Sequence, residues 1–244
     1  MQLLFFILGA CFGSFFGVCI YRIPHQKSIA SPPSHCPQCK QKIKWYDNIP
    51  IISYCLLRGR CRKCQKRIPL RYLLVELITA VVFLTTYLKF GPSIRLIVYL
   101  AFFSLLIIGS FIDAELELLP DIITIPGIIL GVGSSFFTIG IISSLIGGVT
   151  GAIVVGFFAL LGKLLFKKEA MGIGDIKLLC MIGSFTGWID ALWVIFVGSL
   201  IGLIWGLLRR QNRLPFGPFL SIASFIIVMK SFTFYLTFLS KILQ

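Results

Sequence analysis

Two aspartates stand where long apolar stretches of the sequence end or begin. Asp113 closes the apolar run 94–112, and Asp175 follows Gly172 and Gly174 at the start of another apolar run. Ionisable groups at the edge of a bilayer are costly, so a carboxylate kept there is a functional candidate. Two nearby carboxylates share a proton, so that one can activate water while the other donates a hydrogen bond to a carbonyl. Asp113 and Asp175 are therefore candidate catalytic residues for metal-free amide hydrolysis.

Other roles for these two acids stay open on sequence alone. Intramembrane acids also line ion paths in transporters and channels. Asp175 and Asp121 each precede an apolar run, which is also typical of a helix N-cap.

Two roles are also possible for the residues that flank the two acids. Glu115 and Glu117 are either solvated loop acids or carboxylates that receive a basic peptide segment. Gly172 and Gly174 form either a simple turn or an opening through which a peptide backbone approaches Asp175.

Eight cysteines are present, and four of them form two C-x-x-C pairs. Cys36 and Cys39 make the first pair, and Cys61 and Cys64 follow after 21 intervening residues. This spacing supplies four thiolates at tetrahedral geometry and predicts a zinc site, with paired disulfides as the less favoured alternative. A site closed by four cysteines has no open coordination position, so the zinc is expected to be structural.

The composition places the chain among integral membrane proteins. Of its 244 residues, 57% are hydrophobic and 13% are charged, and the mean hydropathy is +0.96. Apolar runs near the length of about 20 residues that crosses a bilayer recur along the sequence. They cover residues 3–20, 72–88, 94–112, 122–139, 141–166, 176–188, 191–208 and 219–239. We predict an all-α polytopic membrane protein with about eight transmembrane helices and a zinc-ribbon-like loop between the first and second.

The charge distribution predicts the orientation of these spans. Residues 22–71 carry twelve Lys or Arg and one acid, Asp47, which is typical of a cytoplasmic loop. The N-terminus is then outside, and Asp113 and Asp175 both reach the cytoplasmic face. The net charge of +14 is explained by topology, with lipid and not nucleic acid as the partner. We expect a first transmembrane helix over 1–21, a cytoplasmic loop over 22–71 and a seven-helix region over 72–244.

Nine motifs resemble those of one protein family, the bacterial type IV prepilin leader peptidases that also N-methylate their product. In this chain they are Gly13-Ser14-Phe15, Tyr21-Arg22-Ile23-Pro24, residues 34–39, 45–50, 57–64 and 71–77, Leu118-Leu119-Pro120-Asp121, residues 172–178 and Pro215-Phe216-Gly217-Pro218-Phe219. One position departs from the pattern, because the family usually carries Asn where this chain has Gly17.

The resemblance implies a GxGD-type intramembrane aspartyl protease with an eight-span helical fold. It implies that Asp113 and Asp175 are the catalytic pair and that Asp121 is not a catalyst. The expected substrates are type IV prepilins and pseudopilins, cut on the cytoplasmic side after the glycine that ends a short basic leader. S-adenosylmethionine would then methylate the new N-terminal residue, and the enzyme would reside in the bacterial cytoplasmic (inner) membrane.

Two rival classes remain on sequence alone. One is a transporter or channel in which Asp113 and Asp175 line an ion path. The other is a non-enzymatic membrane anchor of a pilus assembly system that binds partners through its zinc loop. Both rivals predict that leader removal survives Asp175→Asn.

Overall fold

The computed structural model describes residues 1–36, 38–166, 172–209 and 214–242, with side chains described up to residue 165 in α6 and residue 230 in the last helix. Pro37, inside the first C-x-x-C pair, lies outside these residues. The described chain is helical and has no strand, only two isolated bridges. It divides into two compact units, Met1–Leu96 and Ile97–Gln244. The division at residues 21 and 71 that we expect from the sequence stays a prediction.

The first unit pairs two long helices around a loop. Helix α1 spans Gln2–Arg22, a short helix α2 spans Ile52–Leu56 and helix α3 spans Leu70–Phe90. Between α1 and α2, a 3-10 turn covers Trp45–Asn48.

Glycines on α1 let the two long helices of this unit approach closely. A Cβ atom at Gly9 would lie 2.7 Å from Ala80 Cα, and one at Gly13 would lie 2.7 Å from Glu76 Cα. A Cβ at Gly17 would lie 3.1 Å from the Tyr72 ring. Small residues at helix interfaces allow such close backbone packing in membranes.

The second unit contains most of α4 and all of the later helices. The bounds are Ile94–Leu116 for α4, Asp121–Ser134 for α5, Ile141–Phe166 for α6, Ile173–Thr186 for α7, Trp188–Arg209 for α8 and Gly217–Ile242 for α9. Helix α7 packs against α5, α6 and α8, and α8 packs against α9.

Helix α7 is the core of this unit although it has only 14 residues. Every residue from Met181 to Thr186 is buried. Glycine makes this possible, because a Cβ at Gly183 would collide with the backbone of Gly147 on α6, and one at Gly151 would lie 2.5 Å from the Leu179 carbonyl oxygen. At a rise of about 1.5 Å per residue, α7 is about 21 Å long, which is tolerated because neighbouring helices and not lipid surround it.

The predicted fold class is confirmed. Among the described residues, eight helices have 14 residues or more, and each coincides with one predicted apolar run. Five of them, α1, α3, α4, α6 and α8, are long and apolar enough to cross a membrane. Most boundaries differ from the predicted runs by up to five residues, and two of these differences lie beside the candidate acids. Helix α4 continues through Ala114 and Glu115, which are good helix formers, and ends before Glu117, whose φ is +52°. Helix α7 starts at Ile173, because Gly172 with ψ 155° is its N-cap.

Candidate active site and cysteine cluster

Asp113 is buried near the end of α4, with 5% of its surface exposed. Its Oδ2 accepts a 2.8 Å hydrogen bond from the backbone N–H of Gly217, the first residue of α9. A first-turn N–H has no partner within its own helix and carries part of the positive end of the helix dipole. The start of α9 therefore orients the carboxylate of Asp113 and favours its charge.

Asp175 lies in the first turn of α7 and not before the helix. Its Oδ2 accepts the backbone N–H of the N-cap Gly172 at 3.3 Å. The N-cap role considered for Asp175 thus belongs to Gly172. Asp113 is among the charges that act on Asp175, so the two carboxyl groups lie within electrostatic range of each other.

Two further contacts join helix ends near these acids. Ser110, one turn before Asp113, donates from its Oγ to Ser221 Oγ on α9 at 2.6 Å. Lys177 Nζ on α7 lies 2.6 Å from Asp121 Oδ1 at the start of α5. These contacts bring the end of α4 and the starts of α5, α7 and α9 to one end of the second unit.

Sequence reasoning did not assign Gly217 and Ser110 to the site. Gly217 lies between Phe216 and Pro218 in a motif whose resemblance to the family implies no role for this residue. A glycine at the start of an apolar run was the available signal, since it is the residue to expect where a backbone approaches another group closely.

The four candidate substrate-binding residues lie around the same helix ends. Glu115 and Glu117 are exposed at the end of α4, and the Glu117 N–H bonds to the Asp113 carbonyl at 2.8 Å. Gly172 is exposed, with only Asp175 Oδ2 and Gly174 N within 4 Å of a Cβ placed there. Gly174 is packed instead, because its Cβ would lie 3.0 Å from Leu119 Cβ.

The four predicted cysteine ligands converge in the first unit. The Sγ atoms of Cys36, Cys39, Cys61 and Cys64 all lie within 4.8 Å of one another. Cys36 Sγ is 3.8 Å from Cys64 Sγ, and Cys39 Sγ is 4.0 Å from Cys61 Sγ. Tetrahedral zinc with bonds of about 2.3 Å to sulfur requires sulfur separations of about 3.8 Å. The cluster fits a zinc ion, and no disulfide joins the cysteines of the described chain.

The two halves of the cluster repeat the same backbone fold 25 residues apart. The Cys36 N–H bonds to the Gln41 carbonyl and the Lys40 N–H to the Cys36 carbonyl. At the second pair, Cys61 bonds to Lys66 and Gln65 to Cys61 in the same way. Isolated bridges close both turns, between His35 and Lys42 and between Arg60 and Arg67. Each C-x-x-C pair therefore supplies one half of a four-cysteine cluster that could hold a metal ion.

Local donors favour the thiolate form of Cys61, whereas burial and the neighbouring thiols raise the pKa of Cys64 to about 11. The backbone N–H groups of Cys64 and Lys63 lower the pKa of Cys61 to about 7. Beside it, Arg62 hydrogen-bonds Asp47, and this bond lowers the pKa of the Asp47 carboxyl. Thiolate is the form of cysteine that binds zinc.

Five helices long and apolar enough to cross a membrane, together with a four-cysteine cluster, define a polytopic membrane protein with a candidate metal module. Residues 7–90 match the model of the bacterial peptidase A24 N-terminal domain, and residues 100–207 match that of the type IV leader peptidase family. The chain belongs to this family of prepilin leader peptidase/N-methyltransferases.

Curated relatives in several bacteria carry that name. The chain is 36% identical to the protein of Pseudomonas putida, covering 91% of this chain and 88% of the relative. It is 36% identical to the protein of Neisseria gonorrhoeae, covering 91% of this chain and 87% of the relative. It is 37% identical to that of Myxococcus xanthus, covering 87% of this chain but only 64% of the relative. No solved structure matches the chain.

Proposed function

We propose that this protein is an aspartyl leader peptidase that removes the basic leader of type IV prepilins or pseudopilins on the cytoplasmic face of the inner membrane. The observation that carries the proposal is the pair of carboxylates from α4 and α7, each oriented by a backbone N–H and within electrostatic range of the other. Family membership favours this reading over a transporter, channel or non-enzymatic anchor.

The chemistry needs one shared proton. The ionised carboxyl group takes a proton from water, and the oxygen of that water bonds to the carbonyl carbon of the scissile peptide. The protonated carboxyl group donates to the carbonyl oxygen, so that no charge builds up there. The amide nitrogen then takes a proton from the pair and the C–N bond breaks, which releases the leader acid and the new amine and leaves the two carboxyl groups sharing one proton again. Glu115 and Glu117, exposed beside Asp113, would attract the basic leader, and exposed Gly172 would leave room for its backbone.

Leader removal by purified protein in detergent tests the assignment of the pair. Asp113→Asn and Asp175→Asn should each reduce the cleavage rate by at least about 100-fold, since each removes one acid–base group. Asp190→Asn, at the start of α8 and outside the proposed site, is the matched control and should cleave at about the rate of the unmodified protein. Cleavage that survives in Asp175→Asn would support the rival classes.

We propose that the chain also N-methylates the new N-terminal residue, with S-adenosylmethionine as the methyl donor. An open cavity of about 690 Å³ lies beside the cysteine cluster, within the usual range of small-molecule sites. Trp45 and Tyr46 line it and offer ring faces for an adenine, and Lys42 and Lys44 offer ammonium groups for a carboxylate. Zinc in the neighbouring cluster would hold this loop in shape without touching the donor.

Donor binding can be measured without turnover. Trp45→Ala should weaken the binding of S-adenosylhomocysteine by about tenfold in isothermal titration, because a stacked base is lost. Trp193→Ala on α8 should leave the affinity unchanged. Equal affinities for both variants would place the donor elsewhere.

A further inference from the structure

The short helix α2 buries its polar side chains and exposes its apolar ones, which is the reverse of a helix that faces water. Ser53 is buried and donates from its Oγ to the Tyr46 carbonyl, and the Tyr54 hydroxyl donates to the Ile68 carbonyl. The outward face carries Ile52, Cys55 and Leu56. Ile52 is 56% exposed and Leu56 is 77% exposed. Apolar side chains displayed together in this way mark a surface that meets something other than water.

A carboxylate on α3 fixes the position of α2. Glu76 Oε2 accepts the backbone N–H of Ile51 at 2.7 Å, immediately before α2 begins. Ile51 has φ +63° and ψ −54°, and the Ile52 N–H closes the turn on the Pro50 carbonyl at 2.6 Å. This is a γ-turn with positive φ, which is rare and strained and persists only where its surroundings impose it. The bond from Ile51 to Glu76 supplies one such constraint.

The position of Glu76 along α3 sets the depth of α2. Glu76 lies six residues after Leu70, the first residue of α3, or about 9 Å along the helix axis. Helix α3 has 21 residues and is therefore about 31 Å long, close to the thickness of roughly 30 Å of a bilayer's hydrocarbon core. Residue 51 thus lies beside the second turn of a membrane helix. On α3 itself, Leu74 and Ile78 lie one turn apart on the face opposite Glu76 and are 42% and 41% exposed, as lipid-facing residues are.

The backbone of this segment is also suited to a place with little water. Inside a bilayer, unpaired backbone groups cost several kcal/mol each, so they must find partners within the protein. The N–H groups of Ser53, Cys55 and Leu57 bond to the carbonyls of Ile49, Ile51 and Ser53. Exposed Arg58 and Arg60 follow directly, where cations favour anionic headgroups.

From these observations we propose that the outward face of α2, formed by Ile52, Cys55 and Leu56, inserts into the lipid at the membrane interface and holds the cysteine module against the bilayer. The occupant is lipid because Glu76 holds this segment beside the second turn of a membrane helix and the face is bordered by basic residues. Interfacial helices bury their apolar face about 5–10 Å into the boundary between headgroups and acyl chains. This inference does not depend on the peptidase proposal.

Photocrosslinking in lipid tests the inference directly. The full chain, with benzophenone-alanine in place of Leu56, is reconstituted in vesicles of phosphatidylethanolamine and phosphatidylglycerol, irradiated, and analysed for adducts by mass spectrometry. The same replacement at Ile78 on α3 is the lipid-facing reference, and that at exposed Lys66 of the cysteine module is the water-facing reference.

We expect lipid adducts at position 56 comparable to those at 78 and about tenfold more abundant than those at 66. Lipid adducts at position 78 also establish that the protein in the preparation is inserted in the bilayer. If position 56 crosslinks only to protein, the face meets another part of the chain, another copy or a substrate, and the inference is overturned. If position 56 behaves like position 66, the face is in water, and the inference is equally overturned.

Discussion

At Gly217, the absence of a side chain is what lets a backbone N–H reach the carboxylate of Asp113. The bond is 2.8 Å long and buried, and a Cβ at residue 217 would lie only 2.8 Å from the same Oδ2 atom. Either the helix start or the carboxylate would have to move if any other residue stood there. A positioning role for Gly217 follows from this geometry.

Gly217→Ala is therefore expected to reduce leader removal by about 100-fold, since displacing a reacting group by about 1 Å costs a factor of that size. The measurement is the single-turnover cleavage rate together with the melting temperature. Gly133→Ala on α5 is the matched control, because nothing lies within 4 Å of its Cβ. Equal cleavage by the two variants would show that the Gly217 contact does not position Asp113.

At the scale of elements, the packing of α6 against α7 holds Asp175 in place. The two helices meet through Gly147 and Gly183, whose backbones approach so closely that neither position has room for a methyl group. This contact lies about two turns from Asp175 on α7, and the intervening residues Leu178 and Leu179 are buried.

Gly183→Ala should destabilise the protein by about 1–3 kcal/mol, as overpacking does in a close-packed interior. Gly156→Ala on α6 should be neutral or stabilising by up to about 1 kcal/mol, since alanine is the better helix former and its nearest neighbour is Ile176 Cδ1 at 3.9 Å. Thermal unfolding in detergent compares the two variants. A Gly183→Ala protein as stable as the Gly156→Ala protein would contradict the close contact.

At the scale of the whole molecule, the proposed hydrolytic groups and the cysteine cluster belong to different compact units. Asp113 and Asp175 lie in Ile97–Gln244, and the four cysteines lie in Met1–Leu96. Four thiolates close the coordination sphere of zinc, so the metal cannot activate the water that a peptidase needs. The two proposed activities should therefore be separable by mutation.

We expect about one zinc per chain by elemental analysis, and loss of that zinc when Cys36 and Cys61 are both replaced by Ser. Methylation of the processed pilin should be lost in this variant, and leader removal should be retained. Cys180→Ser, a half-buried cysteine in the second unit, should keep both zinc and methylation. Methylation that persists without zinc would exclude a role for the cluster in that step.

The sequence by itself determined the eight helices and the four-cysteine module. Long apolar runs can satisfy their backbones in a bilayer only as helices, so their number and approximate bounds follow from hydropathy. The C-x-x-C spacing is local, and local geometry decides the shape of each turn. Asp113 and Asp175 are candidates on the same ground, since a charged residue at the edge of an apolar run is visible without any fold.

Only the tertiary structure decided which distant groups meet. The bond between Gly217 and Asp113 joins residues 104 positions apart, and the turn at Ile51 depends on Glu76, 25 positions away. The burial of α7 and the outward apolar face of α2 likewise depend on the neighbours of each helix, which hydropathy does not reveal. Close helix packing fixes these partners, because a contact through glycine has room for only one arrangement of the two backbones.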